Sequence, residues 1–219
     1  KIILMSDRSP YKSNKLLKNS PFHWPYIIRQ RWHEFKVNNR SFKQAKKNVE
    51  FHYNQPKDLF RATLGQTMGY SEGYIKKGEK NNDKNQKAKF EYIAKKLCLK
   101  PGLNVVEVGT AWGYMSVLMA KKYKCNVTNY GLASEQNKFV EKLANKNKVK
   151  IKTVVKDHRE LINEPEKYDR YVSIGVYEHI GKDCMEDWIK SIAACLKEGG
   201  IGVISSTGYL SPHLIHFFI

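Results

Sequence analysis

The chain has 219 residues and a mass of 25.5 kDa, room for one domain and an attached arm at about 150 residues per domain. Its 41% hydrophobic and 27% charged residues form a globular composition, and no apolar run approaches the roughly 20 residues of a membrane-spanning helix. The formal charge is +18, from 39 Lys and Arg against 21 Asp and Glu; residues 1–60 alone hold 13 basic and 4 acidic side chains.

Such a surface attracts polyanions, either nucleic acid or an anionic lipid face, unless the surplus is only a lysine-rich composition. No RNP, helix-turn-helix or zinc-finger pattern supports nucleic acid. The first residues, Lys1 to Ser6, carry a short apolar patch but no leader pattern, so no secretory signal is expected. Cys98, Cys125, Cys184 and Cys195 are scattered without a C-x-x-C pair. That spacing fits reduced core thiols in a cytoplasmic protein and no metal site.

In chain order, residues 1–60 read as a basic N-terminal arm. Its aromatic cluster (Phe22, Trp24, Tyr26, Trp32) suits a membrane interface as well as packing on its own domain. Residues 41–51 suit a basic helix. Residues 61–96 hold an aromatic segment, a Lys/Asn-rich loop over 76–87, and a helix whose Phe90, Ile93, Ala94 and Leu97 recur at helical spacing. Lys100-Pro101-Gly102 ends it.

From 97 to 219 strands and helices alternate. Strands are expected at 103–108, 125–130, 149–155, 171–174 and 201–206, with helices over 114–123, 134–146 (capped by Ser134) and 185–196. This is the pattern of an α/β domain with a doubly wound parallel sheet, whose ligands bind beyond the strand carboxyl ends.

The first of these strands runs into Val106-Glu107-Val108-Gly109-Thr110-Ala111-Trp112-Gly113. Glycines let backbone N–H groups come close to a ligand, but this is not the G-x-G-x-x-G pattern. An acid two positions before the first Gly suits a cationic amino group, which favours S-adenosylmethionine over a pyrophosphate. A purely structural turn would show the same spacing.

Several segments together resemble the cyclopropane-fatty-acyl-phospholipid synthase family. Phe51-His52-Tyr53-Asn54 with Asp58-Leu59-Phe60 is similar to its "HYD…NDLF", and Thr67 to Tyr74 to its "TMxYSCAY". Leu132-Ala133-Ser134-Glu135-Gln136 resembles "TISAEQ", and Asp157 to Leu161 "DYRDL". Ser173-Ile174-Gly175-Val176-Tyr177-Glu178-His179-Ile180-Gly181 resembles "SVGMFEHVG". The likeness runs in order from about residue 35 to 208.

The resemblance implies a Rossmann-like class I S-adenosylmethionine-dependent methyltransferase that transfers a methylene group to the cis double bond of unsaturated phospholipid acyl chains. It implies work at an anionic membrane surface, peripherally on the inner face, and is compatible with a homodimer. For the cofactor it implies Tyr70 and Ser71 as a closing segment, with Glu107, Gly109, Thr110 and Gly113 around the methionine portion. Leu132 falls against the adenine, Gln136 at the ribose, and Asp157 and His158 at the adenine edge and face. For catalysis it implies Glu178, which helps hold a bicarbonate base, with His179 and Tyr74 nearby.

The chain departs from the family at several points. "GCGWG" is here Gly109-Thr110-Ala111-Trp112-Gly113, the Cys of "YSCAY" is Glu72, and a His and an Ile after the fifth strand align with Ser205 and Thr207. Glu72 is therefore a candidate base in place of bicarbonate. The family fold continues past the fifth strand with acyl-pocket helices, two strands and a late catalytic Tyr, and Tyr209 to Ile219 matches none of these. Two other readings fit the same residues: methyl transfer to another lipid or small molecule without ring closure, and a non-catalytic remnant that binds cofactor or lipid.

Overall fold

The computed structural model describes residues 2–6, positions 28, 29, 32 and 36, and 38–207 apart from 54–56 and 76. Phe22, Trp24, Tyr26, Asn54 and the segment 209–219 lie outside the described residues.

The elements are β1 (Ile2–Ser6), α1 (Phe42–Tyr53), α2 (Lys57–Leu64), α3 (Asn82–Lys96), β2 (Asn104–Val108), α4 (Tyr114–Lys121), β3 (Asn126–Tyr130), α5 (Ser134–Lys146), β4 (Ile151–Val154), β5 (Tyr168–Ile174), α6 (Met185–Cys195) and β6 (Leu196–Ser206). A 3-10 helix, His158–Asn163, joins β4 to β5. The strands form one sheet in the order β1-β6-β5-β2-β3-β4, and every pairing is parallel. The chain lays β3 and β4 on one side of β2 and then returns to its other side for β5 and β6. The carboxyl ends of β2 and β5 are thus the point where strand order reverses, where an open parallel sheet leaves a crevice.

The pleat sends alternate residues to two cores. Val105, Val172 and Val203 meet Phe90, Ile93 and Leu97 of α3 and Met115 and Met119 of α4. Val106, Tyr171 and Ile204 meet Leu161 of the 3-10 helix and Trp188 and Ile192 of α6. A third, smaller cluster of Phe60, Met68 and Trp112 fastens the N-terminal helices to the loop after β2.

Several boundaries differ from the sequence expectation. The arm begins with a strand that the sequence reading did not expect: Ile2 to Ser6 pairs with Gly202 to Ser206, so the sheet has six strands and not five. The loop expected over 76–87 is shorter, because the Asn81 side chain accepts a hydrogen bond from the Lys84 N–H and starts α3 at Asn82. Ser134 does not cap α5; Ala133 is the cap position, with no side-chain bond. β5 begins three residues early, at Tyr168, and β6 at Leu196, with a register shift between Tyr168 and Arg170. Gly199 and Gly200, between the expected helix over 185–196 and strand at 201–206, therefore lie inside β6 as an irregularity, Gly199 at φ +71. Cys125, Cys184 and Cys195 are buried free thiols, and Cys98 is exposed.

Candidate cofactor and acid-pair site

The turn after β2 is built for close approach. Gly109 sits at φ +76 and Gly113 at φ +82, backbone that costs an L-residue roughly 1–2 kcal/mol. A Cβ on Gly109 would lie 2.2 Å from Val176 Cγ2, and one on Gly113 2.9 Å from Val140 Cγ2. The Gly113 N–H donates to the Thr110 carbonyl at 3.0 Å, closing the turn, and the Gly109 N–H to Tyr130 at 3.0 Å. Gly113 caps α4 without a side-chain bond, so the first-turn N–H groups of α4 have no side-chain acceptor there. Ala111, between the two glycines, is held at φ +49, so its methyl is accommodated in a left-handed turn position.

Glu107 points from β2 beneath α4 and is 3% exposed. The Ser116 hydroxyl donates to its Oε2. Burial pushes its carboxyl up to about 7, against the smaller downward pull of that hydrogen bond. Asn129 is its in-register neighbour on β3, fully buried with both amide atoms unpartnered. Thr110 Oγ1, Gln136 Nε2 and His158 Nε2 are also buried without partners. Among the described residues, a buried acid without a cation and a set of unpaired donors and acceptors thus gather around the β2, β3 and β4 carboxyl ends. That donor set fits a ligand carrying an ammonium, hydroxyls and a heteroaromatic ring.

Leu132 lies half-buried in the bend before α5, and Gln136 is buried in the first turn of that helix. Asp157 is differently committed. Both its oxygens accept from Arg159, at 2.8 Å from Nε and 2.7 Å from Nη2, and its Oδ1 also takes the Arg159 N–H to cap the 3-10 helix. Burial opposes its ionisation, yet the Arg159 bonds hold its carboxyl below the usual range. His158 is neutral at physiological pH, since burial pushes it down to about 4 despite the neighbouring Asp157. Its ring meets Trp188 edge-on at 5.8 Å.

The second half of the site stands on β5 and β6. Ser71 and the Tyr70 carbonyl lie over Gly175, where a Cβ would be 3.4 Å from Ser71 Cβ and 3.8 Å from Glu178 Oε1. Thr207 bridges two acids: its hydroxyl donates to Glu72 Oε1 at 2.9 Å, and its N–H to Glu178 Oε1 at 3.4 Å. Glu178 Oε2 is buried without a partner. The Tyr53 hydroxyl is pushed up to about 12, first by burial and then by Tyr70 and Glu178. Tyr70 packs edge-on to Tyr53 and Phe60, each at 6.0 Å. The acid pair, Tyr53, Tyr70 and Ser71 are thus gathered at one edge of the crevice.

Two implied catalytic residues are placed elsewhere. Tyr74 stacks on Tyr92 of α3 at 4.9 Å, turned toward that helix. His179 is exposed, and its carbonyl takes a hydrogen bond from the Asn39 side chain at 2.6 Å.

The sequence reading missed Gln86 and Lys89 on α3. Both are buried and both hold Ser71: the Gln86 amide donates to the Ser71 carbonyl at 2.6 Å, and Lys89 Nζ to the Ser71 hydroxyl at 2.6 Å. The signal was present, because positions 86, 89, 90, 93 and 97 form one helical stripe on which two polar residues interrupt an apolar face.

Comparison with known proteins matches residues 40–217 to the model of the family described as mycolic acid cyclopropane synthetase. The chain is 32% identical over 157 residues to the cyclopropane-fatty-acyl-phospholipid synthase of Escherichia coli K12, covering 72% of this chain and 40% of that protein. It is 32% identical over 170 residues to cyclopropane mycolic acid synthase 1 of Mycobacterium tuberculosis H37Rv, covering 77% and 58%. A mycolic acid cyclopropane synthase solved with SAH and CTAB superposes with a TM-score of 0.63 at 29% identity, covering 69% of this chain and 53% of that one. The chain therefore spans about half the length of the relatives it matches.

Proposed function

The chain belongs to the mycolic acid cyclopropane synthetase family, and from that premise we propose that it binds S-adenosylmethionine and serves methylene transfer to the cis double bond of unsaturated phospholipid acyl chains. The observation that carries the reading is Glu107, a buried acid at the foot of a glycine turn with no cation beside it among the described residues. When bound, the cofactor supplies an electrophilic sulfonium methyl. Glu107 attracts the ammonium, Gly109 and Gly113 let the turn close on the methionine portion, and Gln136 offers its free amide to the ribose hydroxyls. Leu132 and neutral His158 flank the adenine. Asp157 acts through Arg159 by fixing the segment that carries His158.

Addition of a methyl to an alkene carbon leaves a cation on the acyl chain. Ring closure then needs a base for one proton of the added methyl, whose C–H electron pair closes the three-membered ring. Glu72 is that base in our reading. Its carboxylate is oriented by the Thr207 hydroxyl, and Glu178 adds a second negative charge across the same threonine. This resident acid would take the role that the family resemblance gives to a bound bicarbonate.

The test is a calorimetric titration with S-adenosylmethionine, followed by the labelled donor on vesicles of unsaturated anionic phospholipid. The expected product gains one methylene and loses its double bond. Glu72→Gln is expected to lower turnover by about 10²-fold or more with donor affinity unchanged. Undiminished turnover would return the role to a bound anion. The Glu72, Ser205 and Thr207 departures also favour a second reading, methyl addition without ring closure, which predicts a product that keeps its unsaturation.

The membrane side of the proposal rests on the N-terminal helices. Phe51 is 85% exposed, Leu59 54% and Phe42 43%, interleaved with Lys43, Lys46, Lys47, Lys57 and Arg61. No helix among the described residues is long and apolar enough to cross a membrane. A basic surface with apolar side chains suits peripheral contact with an anionic leaflet, and we place that contact at the inner face of the membrane. Co-sedimentation with anionic vesicles is expected to fall as salt rises and to fall several-fold in Phe51→Ser. Binding indifferent to both changes would remove this surface from the proposal.

A further inference from the structure

Two ionisable groups of opposite sign are buried beside neighbouring strand ends. Glu107 lies two residues before Gly109, the first residue past β2. Lys89, 5% exposed, reaches from α3 to Ser71, which lies over Gly175, the first residue past β5. Val176 closes the gap between them, since a Cβ on Gly109 would meet its Cγ2. Among the described residues neither charge has an ionic partner within hydrogen-bond reach: Glu107 holds the Ser116 hydroxyl, and Lys89 holds Ser71 and the Gln86 carbonyl oxygen at 2.6 Å. An unpaired buried charge is costly, and two of opposite sign beside one crevice match a ligand that carries both signs on adjacent groups.

The proton inventory gives the direction. Lys89 has only donors, so the Ser71 oxygen accepts from it, and the Ser71 hydroxyl hydrogen is left to donate outward. Hydrogen bonds in such a chain polarise one another. Burial also pushes Lys89 down to about 8, with Glu72 opposing the shift, which leaves the ammonium largely charged at neutral pH.

We propose that Lys89, acting through the Ser71 hydroxyl, forms the cationic half of a two-charge clamp that takes the carboxylate of an α-amino-acid group whose ammonium goes to Glu107. The inference rests on the S-adenosylmethionine reading and deepens it, by assigning the far end of that molecule. Lys89 is a positioning residue here, and Gln86 holds the Ser71 carbonyl so that the hydroxyl keeps its aim.

The experiment compares calorimetric affinities for S-adenosylmethionine and its decarboxylated form, which keeps the sulfonium and an amine. The wild-type chain is expected to prefer the carboxylate form by about tenfold or more, the scale of a charge-assisted hydrogen bond. Lys89→Met is expected to abolish that preference while holding the decarboxylated form within about two-fold of wild type, and Lys89→Arg to keep it. Equal weakening of both ligands in Lys89→Met would make the lysine a mere anchor of the segment and overturn the clamp. Equal wild-type affinity for the two ligands overturns it without any variant, so a poorly folding Lys89→Met leaves the question decidable. A wild-type chain that takes up neither ligand overturns the cofactor reading, and the clamp falls with it.

Discussion

Glu107→Gln is expected to make the ligand-free chain more stable at pH 8 while it abolishes donor binding. The Glu107 carboxyl is pushed from its ordinary 4.5 up to about 7 by burial. Below pH 4.5 the group is protonated in both folded and unfolded chains, and no difference arises. Between 4.5 and about 7 the folded chain retains a proton that the unfolded chain has released, so wild-type stability declines as pH rises. Above about 7 the loss is complete, about 3 kcal/mol at 1.36 kcal/mol per unit. Glutamine is neutral throughout and still accepts from Ser116. Urea unfolding of both proteins at pH 5 and pH 8 measures the effect: the variant's advantage should be small at the first and near its full size at the second. A pH-independent difference would mean that Glu107 is already ionised and paired. The same substitution removes the negative charge proposed to draw the cofactor's ammonium, so calorimetry should show no donor binding. Stability and binding would thus move in opposite directions at one side chain, as expected of a group held in an unfavourable state for its task.

Gly109→Ala is expected to damage both properties. Its φ of +76 costs an alanine roughly 1–2 kcal/mol. The new methyl would also lie 2.2 Å from Val176 Cγ2, and overpacking of this kind costs about 1–3 kcal/mol. Either the turn or the β5 loop must shift, and donor binding should fall below calorimetric detection. The two costs are separable. Adding Val176→Ala removes the offending carbon, so the double variant should recover the packing part and not the backbone part. A thermal melt of the four proteins in that cycle isolates the coupling. Strict additivity would show that Val176 does not oppose the turn.

How far the sequence foretold these sites varied with the kind of signal. β2 was clear because Val105, Val106 and Val108 form an apolar run bounded by Pro101-Gly102 and Gly109. The first residues of β5 were not, because Asp169 and Arg170 interrupt the pattern. The structure shows why they are tolerated: Asp169 accepts the Asn104 N–H at 2.7 Å and Lys197 at 2.9 Å, and Arg170 Nε donates to the Leu97 carbonyl at 2.5 Å. Polar side chains at the foot of a parallel strand are satisfying the backbone of its neighbours. The glycine turn and Glu107 could be read from spacing. The hold of α3 on Ser71 could not, since one buried lysine in a lysine-rich helix looks like a solvated one until its stripe is drawn. The Thr207 bridge between Glu72 and Glu178 joins residues far apart in the chain, and no local pattern reports such a contact.

Trp112 occupies the middle of the glycine turn after β2, with Phe60 of α2 at 5.2 Å and Phe139 of α5 at 5.1 Å. This makes the N-terminal helices a roof keyed into the turn by one indole. Packed this way, the helices cannot shift on the turn without disturbing the indole between them. Loosening α2 would therefore cost the turn part of its packing, so the stability of the N-terminal helices and the order of the glycine turn are tied to one another.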